Sequence, residues 1–133
     1  MLNLPFKLEP ETAIPLMIEA FNAGKLGAQT GKTLCHYRYE DGSCCILGAA
    51  MPDDVAKFMD SGTVTSLHSL VENKRIAIDG LELKERFNLL QAAHDRACTH
   101  VEKEVKYKRF VDTFKQFVKD FAPEQLANLK EGV

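Results

Sequence analysis

The chain has 133 residues, of which 45% are hydrophobic and 27% are charged, a balance that excludes a disordered or fibrous protein. This length fits one compact domain, so we expect residues 1–133 to form a single domain. A formal net charge of −2 at pH 7 argues against a protein that coats nucleic acid, because neutralising phosphates requires an excess of Lys and Arg.

The N-terminus and the cysteine content predict the compartment. Residues 1–7 lack the basic segment and apolar run of an export signal, and no apolar run approaches the roughly 20 residues that span a bilayer. Four cysteines are too few for the disulfide scaffold of a small secreted domain. We therefore expect a cytoplasmic protein with reduced thiols and no membrane association.

The first predicted elements are a helix over 12–23 and a loop over 24–33. Apolar residues recur at helical spacing in the first segment, and Gly24 stands where the helix would end. The loop finishes with Gly31-Lys32-Thr33, a triplet found in phosphate-binding loops. However, Leu26 occupies the position where such a loop needs glycine, and a helix precedes it instead of a strand. We expect a connector or contact surface here and no nucleotide site.

Residues 33–48 predict an antiparallel β-hairpin. β-Forming residues flank Asp41-Gly42, a dipeptide that supplies the positive φ angles of a tight turn. In this register Tyr39 faces Cys44, whereas Cys45 lies on the opposite face of the hairpin. The segment also contains Cys35, so three of the four cysteines lie together in the sequence.

Helices dominate the rest of the chain. One is expected from Pro52, a second over 64–72 and a short one over 124–130, while residues 76–78 are a candidate third strand. Residues 82–121 contain no Gly or Pro, but their apolar stripe changes phase by about half a turn near residue 100. We expect two helices there, the alternative being one long helix whose halves contact different partners. The predicted class is α+β, mainly helical, with one small antiparallel hairpin.

His94 is the first candidate for chemistry because it lies within the apolar stripe. A thiol enzyme needs an activated cysteine, a histidine base and a group that orients the base. The candidates for these roles are Cys44 or Cys45, His94, and Asp54 or Asp95. A buried histidine that bonds a backbone carbonyl or a tyrosine hydroxyl explains the same pattern, and we favour that interpretation.

A metal site is the second chemical alternative. His94 and Cys98 are four residues apart, so they share one face of a helix, and Cys45 can join them if the hairpin packs there. Two ligands leave a tetrahedral zinc site half complete, and no cysteine pair has the spacing of a zinc knuckle. Cys45, His94 and Cys98 therefore stay as candidate ligands of an undetermined metal, and we expect no cofactor.

Two aromatic segments are candidate interaction surfaces. Tyr37, Arg38 and Tyr39 belong to the predicted hairpin, and Tyr107, Phe110 and Phe114 belong to the last long helix. If the phenylalanine stripe is uncovered, it forms a homodimer or partner interface. Residues 103–119 also interleave basic and aromatic residues, which suits nucleic acid, but acidic residues dilute the charge and we favour a solvated helix face.

Residues 35–95 resemble a recurring group of small uncharacterised proteins from bacterial and phage genomes. That group shares a Tyr-Arg, Asp-Gly, Cys-x-x-Gly and Pro-Asp run followed by Leu-Gln-x-x-His-Asp. The resemblance implies a mobile-element context, and it implies that the hairpin meets the His94 helix. The matching segments are Tyr37-Arg38, Asp41-Gly42, Cys44-Cys45-Ile46-Leu47-Gly48, Met51-Pro52-Asp53-Asp54 and Leu90-Gln91-Ala92-Ala93-His94-Asp95.

The expected function is therefore a cytoplasmic interaction or regulatory module, such as a phage accessory protein that binds and modulates a host protein. One alternative is a small thiol- or metal-dependent enzyme that uses Cys44 or Cys45 with His94. Another is a nucleic-acid-binding protein that uses the basic helix 103–119.

Overall fold

The computed structural model describes residues 3–31, 36–60, 66–99 and 101–130. The chain is mainly helical, and none of the described helices is both long and apolar enough to cross a bilayer. In chain order the elements are β1 (Phe6–Lys7), α1 (Pro10–Asn22), α2 (Gly27–Thr30), α3 (Ile46–Ala49), α4 (Asp53–Asp60), α5 (Leu67–Glu72), β2 (Ile76–Ala77), α6 (Leu81–Ala97), α7 (Lys103–Phe121) and a C-terminal 3₁₀ helix (Pro123–Asn128).

The small sheet is parallel, so the predicted antiparallel hairpin is wrong. β1 pairs with β2, with Phe6 opposite Ile76 and Lys7 opposite Ala77. β2 confirms the strand expected near 76–78. The start of the predicted hairpin, including Cys35, lies outside the described residues.

The second half of the predicted hairpin is a helix because tertiary contacts satisfy its ends. A turn does form at Asp41-Gly42, where the Tyr39 N–H donates to the Ser43 carbonyl at 2.7 Å. After one isolated antiparallel bridge between Arg38 and Cys44, the chain enters α3. The Cys45 Sγ accepts a hydrogen bond from the Gly48 N–H at 3.2 Å and caps the first turn. Sequence propensity does not report such a cap.

The region 82–121 forms two helices, as the phase change predicted. α6 ends at Ala97, and Glu102, with a left-handed φ of 49°, directly precedes α7. Arg86, near the start of α6, contacts Asp120, near the end of α7, at 2.7 Å, so the helices are antiparallel. Their stripes differ in phase because each one turns toward the same core after the chain reverses.

The core lies between α1, α3, α6 and α7. α3 contacts both α1 and α6, and its Ile46 and Leu47 are completely buried. The Phe21 ring of α1 lies 5.7 Å from the Phe114 ring of α7. α6 is thus covered by phenylalanines on one side and by the short helices α2 and α3 on another.

Candidate functional site

His94 is fully buried and hydrogen-bonded to the protein backbone. Its Nε2 accepts from the Ala28 N–H of α2 at 3.3 Å, which places the ring proton on Nδ1. Nδ1 lies 3.4 Å from the Asp95 Oδ1 and 3.9 Å from the Cys98 Sγ. The edge of the ring also meets Phe110, with the ring centroids 5.2 Å apart. The favoured interpretation, a buried bonded histidine, is confirmed, although its partner is an amide N–H instead of a carbonyl or a hydroxyl.

Gln91 is the residue that the sequence reasoning missed. Its Oε1 accepts from the Leu47 N–H of α3 at 3.2 Å, and its Nε2 donates to the Asp95 Oδ1 at 2.8 Å. The Leu47 amide is one of the N-terminal helix amides that have no partner within their own helix. Gln91 therefore holds α3 on α6. A polar residue at the spacing of the buried stripe, between Phe87 and His94, was the indication available in the sequence.

The three described cysteines are buried, and burial raises the pKa of each thiol. The pKa of Cys44 is raised by burial, although Arg38 partly offsets the shift, and the pKa of Cys45 is raised well above its ordinary value. Burial, reinforced by the charge of Asp95, raises the pKa of Cys98 to about 11. These thiols are protonated at neutral pH, so they are weak nucleophiles at rest.

The structure brings Cys45, Gln91 and Asp95 to one cavity but does not assemble a thiol–imidazole pair there. The cavity has a volume of about 230 Å³. His94 lies beside Asp95, but its two nitrogens contact Ala28, Asp95 and Cys98. Within the described part of the chain, neither Cys44 nor Cys45 is a hydrogen-bonding partner of His94. The 45–48 segment does meet the His94 helix, as the resemblance implied, but the link is made by Gln91.

The predicted metal ligands do not converge. No group of three or more His, Cys, Asp or Glu side chains that could hold a metal ion occurs among the described residues. The nearest pair is His94 Nδ1 and Cys98 Sγ, and Nδ1 is the nitrogen that carries the ring proton. A metal between these two atoms would replace the proton on Nδ1. A neutral imidazole bound to metal through Nδ1 carries its proton on Nε2, so Nε2 could no longer accept the hydrogen bond from Ala28.

Tyr37 and Arg38 hold the fold together and do not form a free surface. Tyr37 is 3% exposed, and the backbone N–H groups of Tyr37 and Arg38 donate to the two carboxylate oxygens of Asp60 at 2.9 and 2.8 Å. The Arg38 guanidinium donates to the carbonyls of Gly48 and Met51, at the C-terminal end of α3. A Cβ at Gly48 would lie 1.8 Å from the Tyr37 carbonyl oxygen, so only glycine fits there. These motif residues therefore have structural roles.

The aromatic residues of α7 are also used internally. Phe110 and Phe114 are completely buried, so they offer no surface to a second copy or to a partner. The chain's own α1 and α6 cover both rings, so the condition for a phenylalanine interface, an uncovered stripe, is not met at these two positions. Tyr107 is partly buried, and its hydroxyl accepts from the Gln29 Nε2 at 3.2 Å, which ties the 24–31 segment to α7.

The outer side of the α6–α7 pair carries two adjoining surface cavities of about 500 and 330 Å³. Asp112 and Thr113 line both of them. Leu89 lines the first cavity and is 57% exposed. Arg96, Lys106 and Arg109 line the second. The basic residues of the 103–119 segment are thus divided, and only Lys106 and Arg109 lie in this groove.

No family model, no curated protein and no solved structure matches this chain. The resemblance to small bacterial and phage proteins therefore stays an expectation from the motif.

Proposed function

We propose that the protein is a small cytoplasmic interaction module that acts by binding another protein and not by covalent chemistry. The candidate catalytic residues support this reading. His94 and Cys45 accept hydrogen bonds from backbone amides, and the described thiols have raised pKa values. Side chains used in this way stabilise packing and lack the activated thiolate that nucleophilic catalysis requires.

The observation that carries the proposal is the position of the exposed apolar side chains. Seven large apolar residues are exposed in the described part of the chain, and four of them lie between residues 81 and 105. Leu89 is the most informative of the four because it lies in the middle of α6, away from fraying ends. Leu89 also lines a surface cavity between α6 and α7, and an exposed apolar side chain in a groove favours a binding surface more than one that stands singly. The four are Leu81, Leu89, Val101 and Val105.

The resemblance to phage proteins supports a host protein as the partner, with modulation of that protein as the outcome. A small module of this kind acts by occupying a surface of its target. Its effect then depends on stoichiometric binding and not on turnover.

Comparative capture tests the proposal. Wild-type protein, Leu89→Asp and the matched control Leu16→Asp, which alters an apolar residue of α1 that is 42% exposed, are immobilised and exposed to host lysate. We expect a protein that wild type and Leu16→Asp retain and that Leu89→Asp loses, and that rebinds wild type when purified. If no captured protein depends on Leu89, the proposal fails. Circular dichroism establishes that the variants are folded.

A further inference from the structure

The groove on the outer side of α6 and α7 has the length of a short helix. We define the outer groove by Arg86, Leu89, Ala93 and Arg96 of α6 and by Lys106, Arg109, Asp112, Thr113, Gln116 and Asp120 of α7. From Arg86 to Arg96 the α6 axis rises about 15 Å, or about three turns. A partner helix of about three turns can therefore lie along the whole groove, in the manner of helix-in-groove recognition.

The charges of the outer groove are unequal at its two ends. At one end Arg86 pairs with Asp120 at 2.7 Å, and its guanidinium lies 5.1 Å from the centroid of the Phe121 ring. At the other end Arg96, Lys106 and Arg109 line one cavity, with Asp112 as its acidic side chain. None of these three cations lies within 4.0 Å of a carboxylate among the described residues. A net positive cluster on a chain of net charge −2 complements an acidic partner.

The floor of the outer groove is apolar. Leu89 is 57% exposed, and Ala93, one turn further along α6, is partly buried against the core. An apolar floor between charged rims is the arrangement that receives an amphipathic helix. Leu89 and Ala93 offer an apolar contact that a phosphate backbone cannot use, so a protein segment with apolar side chains is favoured over nucleic acid.

We infer that the outer groove binds an acidic amphipathic helix of the partner protein. The apolar side chains of that helix lie on Leu89 and Ala93, and its carboxylates face Arg96, Lys106 and Arg109. This inference rests on the proposed function and specifies its surface and the chemistry of its partner.

Synthetic peptides test the inference directly. The probe is a fluorescent peptide of about 14 residues with leucines at helical spacing and glutamates on both flanks. The comparison peptides replace every glutamate with lysine, or scramble the leucine spacing. By fluorescence anisotropy we expect the acidic peptide to bind about tenfold or more tightly than either comparison peptide. Its affinity should fall as NaCl rises from about 50 to about 300 mM, because salt screens the charges.

Protein variants locate the binding. We expect the double variant Arg96→Glu/Arg109→Glu to lower the affinity for the acidic peptide by about tenfold or more. Leu89→Asp should lower this affinity by a similar factor. The matched control Lys25→Glu/Lys57→Glu makes the same charge change on exposed residues outside the groove and should leave binding within about twofold. Arg96→Gln/Arg109→Gln removes the charges without reversing them. Its affinity for the acidic peptide should lie between that of Arg96→Glu/Arg109→Glu and that of the control.

Four results would overturn the inference. The first is equal binding of acidic and basic peptides. The second is tighter binding of a single-stranded oligonucleotide of about 20 nucleotides, lost in Arg96→Glu/Arg109→Glu. The third is a Leu89-dependent dimer in sedimentation analysis, which assigns the groove to a second copy. The fourth is a captured partner whose binding requires Leu89 but not Arg96 and Arg109. This result would leave the proposed function intact and would overturn only the inference that the partner presents an acidic helix.

Discussion

Two sides of α6 are held by different interactions, one by apolar packing and the other by hydrogen bonds. Toward α7 the contact is a phenylalanine seam formed by Phe87, Phe110, Phe114 and Phe117, all at most 1% exposed. Toward α2 and α3 it is an amide seam, in which His94 and Gln91 accept hydrogen bonds from the Ala28 and Leu47 N–H groups. The stabilisation from the phenylalanine seam depends on the buried apolar area, whereas that from the amide seam depends on the direction of its hydrogen bonds. The amide seam fixes where two short helices begin, which packing alone does not specify.

The largest expected effect is in the phenylalanine seam. Phe114 is completely buried, lies 5.7 Å from Phe21 and stacks on Phe110 with centroids 6.2 Å apart. Phe114→Ala should lower the free energy of unfolding by about 3–5 kcal/mol, because it leaves a cavity among rings that cannot fully collapse. Urea unfolding followed by circular dichroism measures the loss. Phe114→Leu keeps most of the side-chain volume, so it should lower the free energy of unfolding clearly less than Phe114→Ala does. Equal losses for the two variants would contradict the packing argument.

The contrast between the seams also explains how far the sequence could be read. The members of the phenylalanine seam follow from the spacing within each of the two helices, so these members and the break between α6 and α7 were predictable. The amide seam joins His94 to Ala28 across 66 positions and Gln91 to Leu47 across 44, and spacing does not report such partners. His94 was recognised as buried, but its bonding partner was not.

The hairpin error has the same origin. Residues 44–48 have the local propensity of a strand, yet α3 forms because Cys45 caps its start and the Arg38 guanidinium binds the Gly48 and Met51 carbonyls at its end. The close approach of Gly48 to the Tyr37 carbonyl permits this arrangement. The Cys45 cap is local, but the Arg38 contacts and the Gly48–Tyr37 approach join separate segments, so tertiary contacts overrode the local propensity.

The second effect, in the amide seam, should be smaller and local. Gln91→Leu keeps the apolar volume but leaves the buried Leu47 N–H without its acceptor and removes the donor to Asp95. We expect a loss of about 1–3 kcal/mol in the free energy of unfolding. Hydrogen exchange of the Leu47 amide should accelerate more than that of the α7 core amides, whereas Phe114→Ala accelerates both.

The matched control for this comparison is Gln116→Leu, an exposed glutamine of α7 whose hydrogen bond to Asp120 is open to solvent, and its loss should change stability by less than about 0.5 kcal/mol. Because Gln91 and His94 share Asp95, the pair Gln91→Leu and His94→Leu should be non-additive. Strict additivity would show that the two residues act separately and that the amide seam is not one network.

The third effect is a pH dependence of stability at Cys98, whose Sγ lies 3.9 Å from the His94 Nδ1 of the amide seam. Burial and the charge of Asp95 raise the pKa of Cys98 from 9.0 to about 11, so between these values the folded state holds a proton that the unfolded state has lost. Stability is therefore fully present below pH 9 and falls as pH rises toward 11, by about 1 kcal/mol at pH 10. Unfolding measured at pH 7, 9 and 10 checks this. Cys98→Ala should show a shallower fall than wild type, and an identical fall would contradict the assignment.

The smallest effect should come from the ion pair that closes one end of the outer groove. Hydrogen bonds from Arg86 and Gln116 to Asp120 hold the pKa of this carboxyl below its usual range, so the pair's contribution is present near neutral pH and is lost as pH falls through that lowered pKa. Both side chains are partly exposed, at 27% and 37%, so solvent and salt screen the pair. Asp120→Asn should lower the melting temperature less than Gln91→Leu does, and salt should reduce the difference from wild type. An Asp120→Asn effect as large as that of Gln91→Leu and insensitive to salt would mean that directional contacts on the outer surface of α6 and α7 hold this fold as firmly as the buried amide seam does.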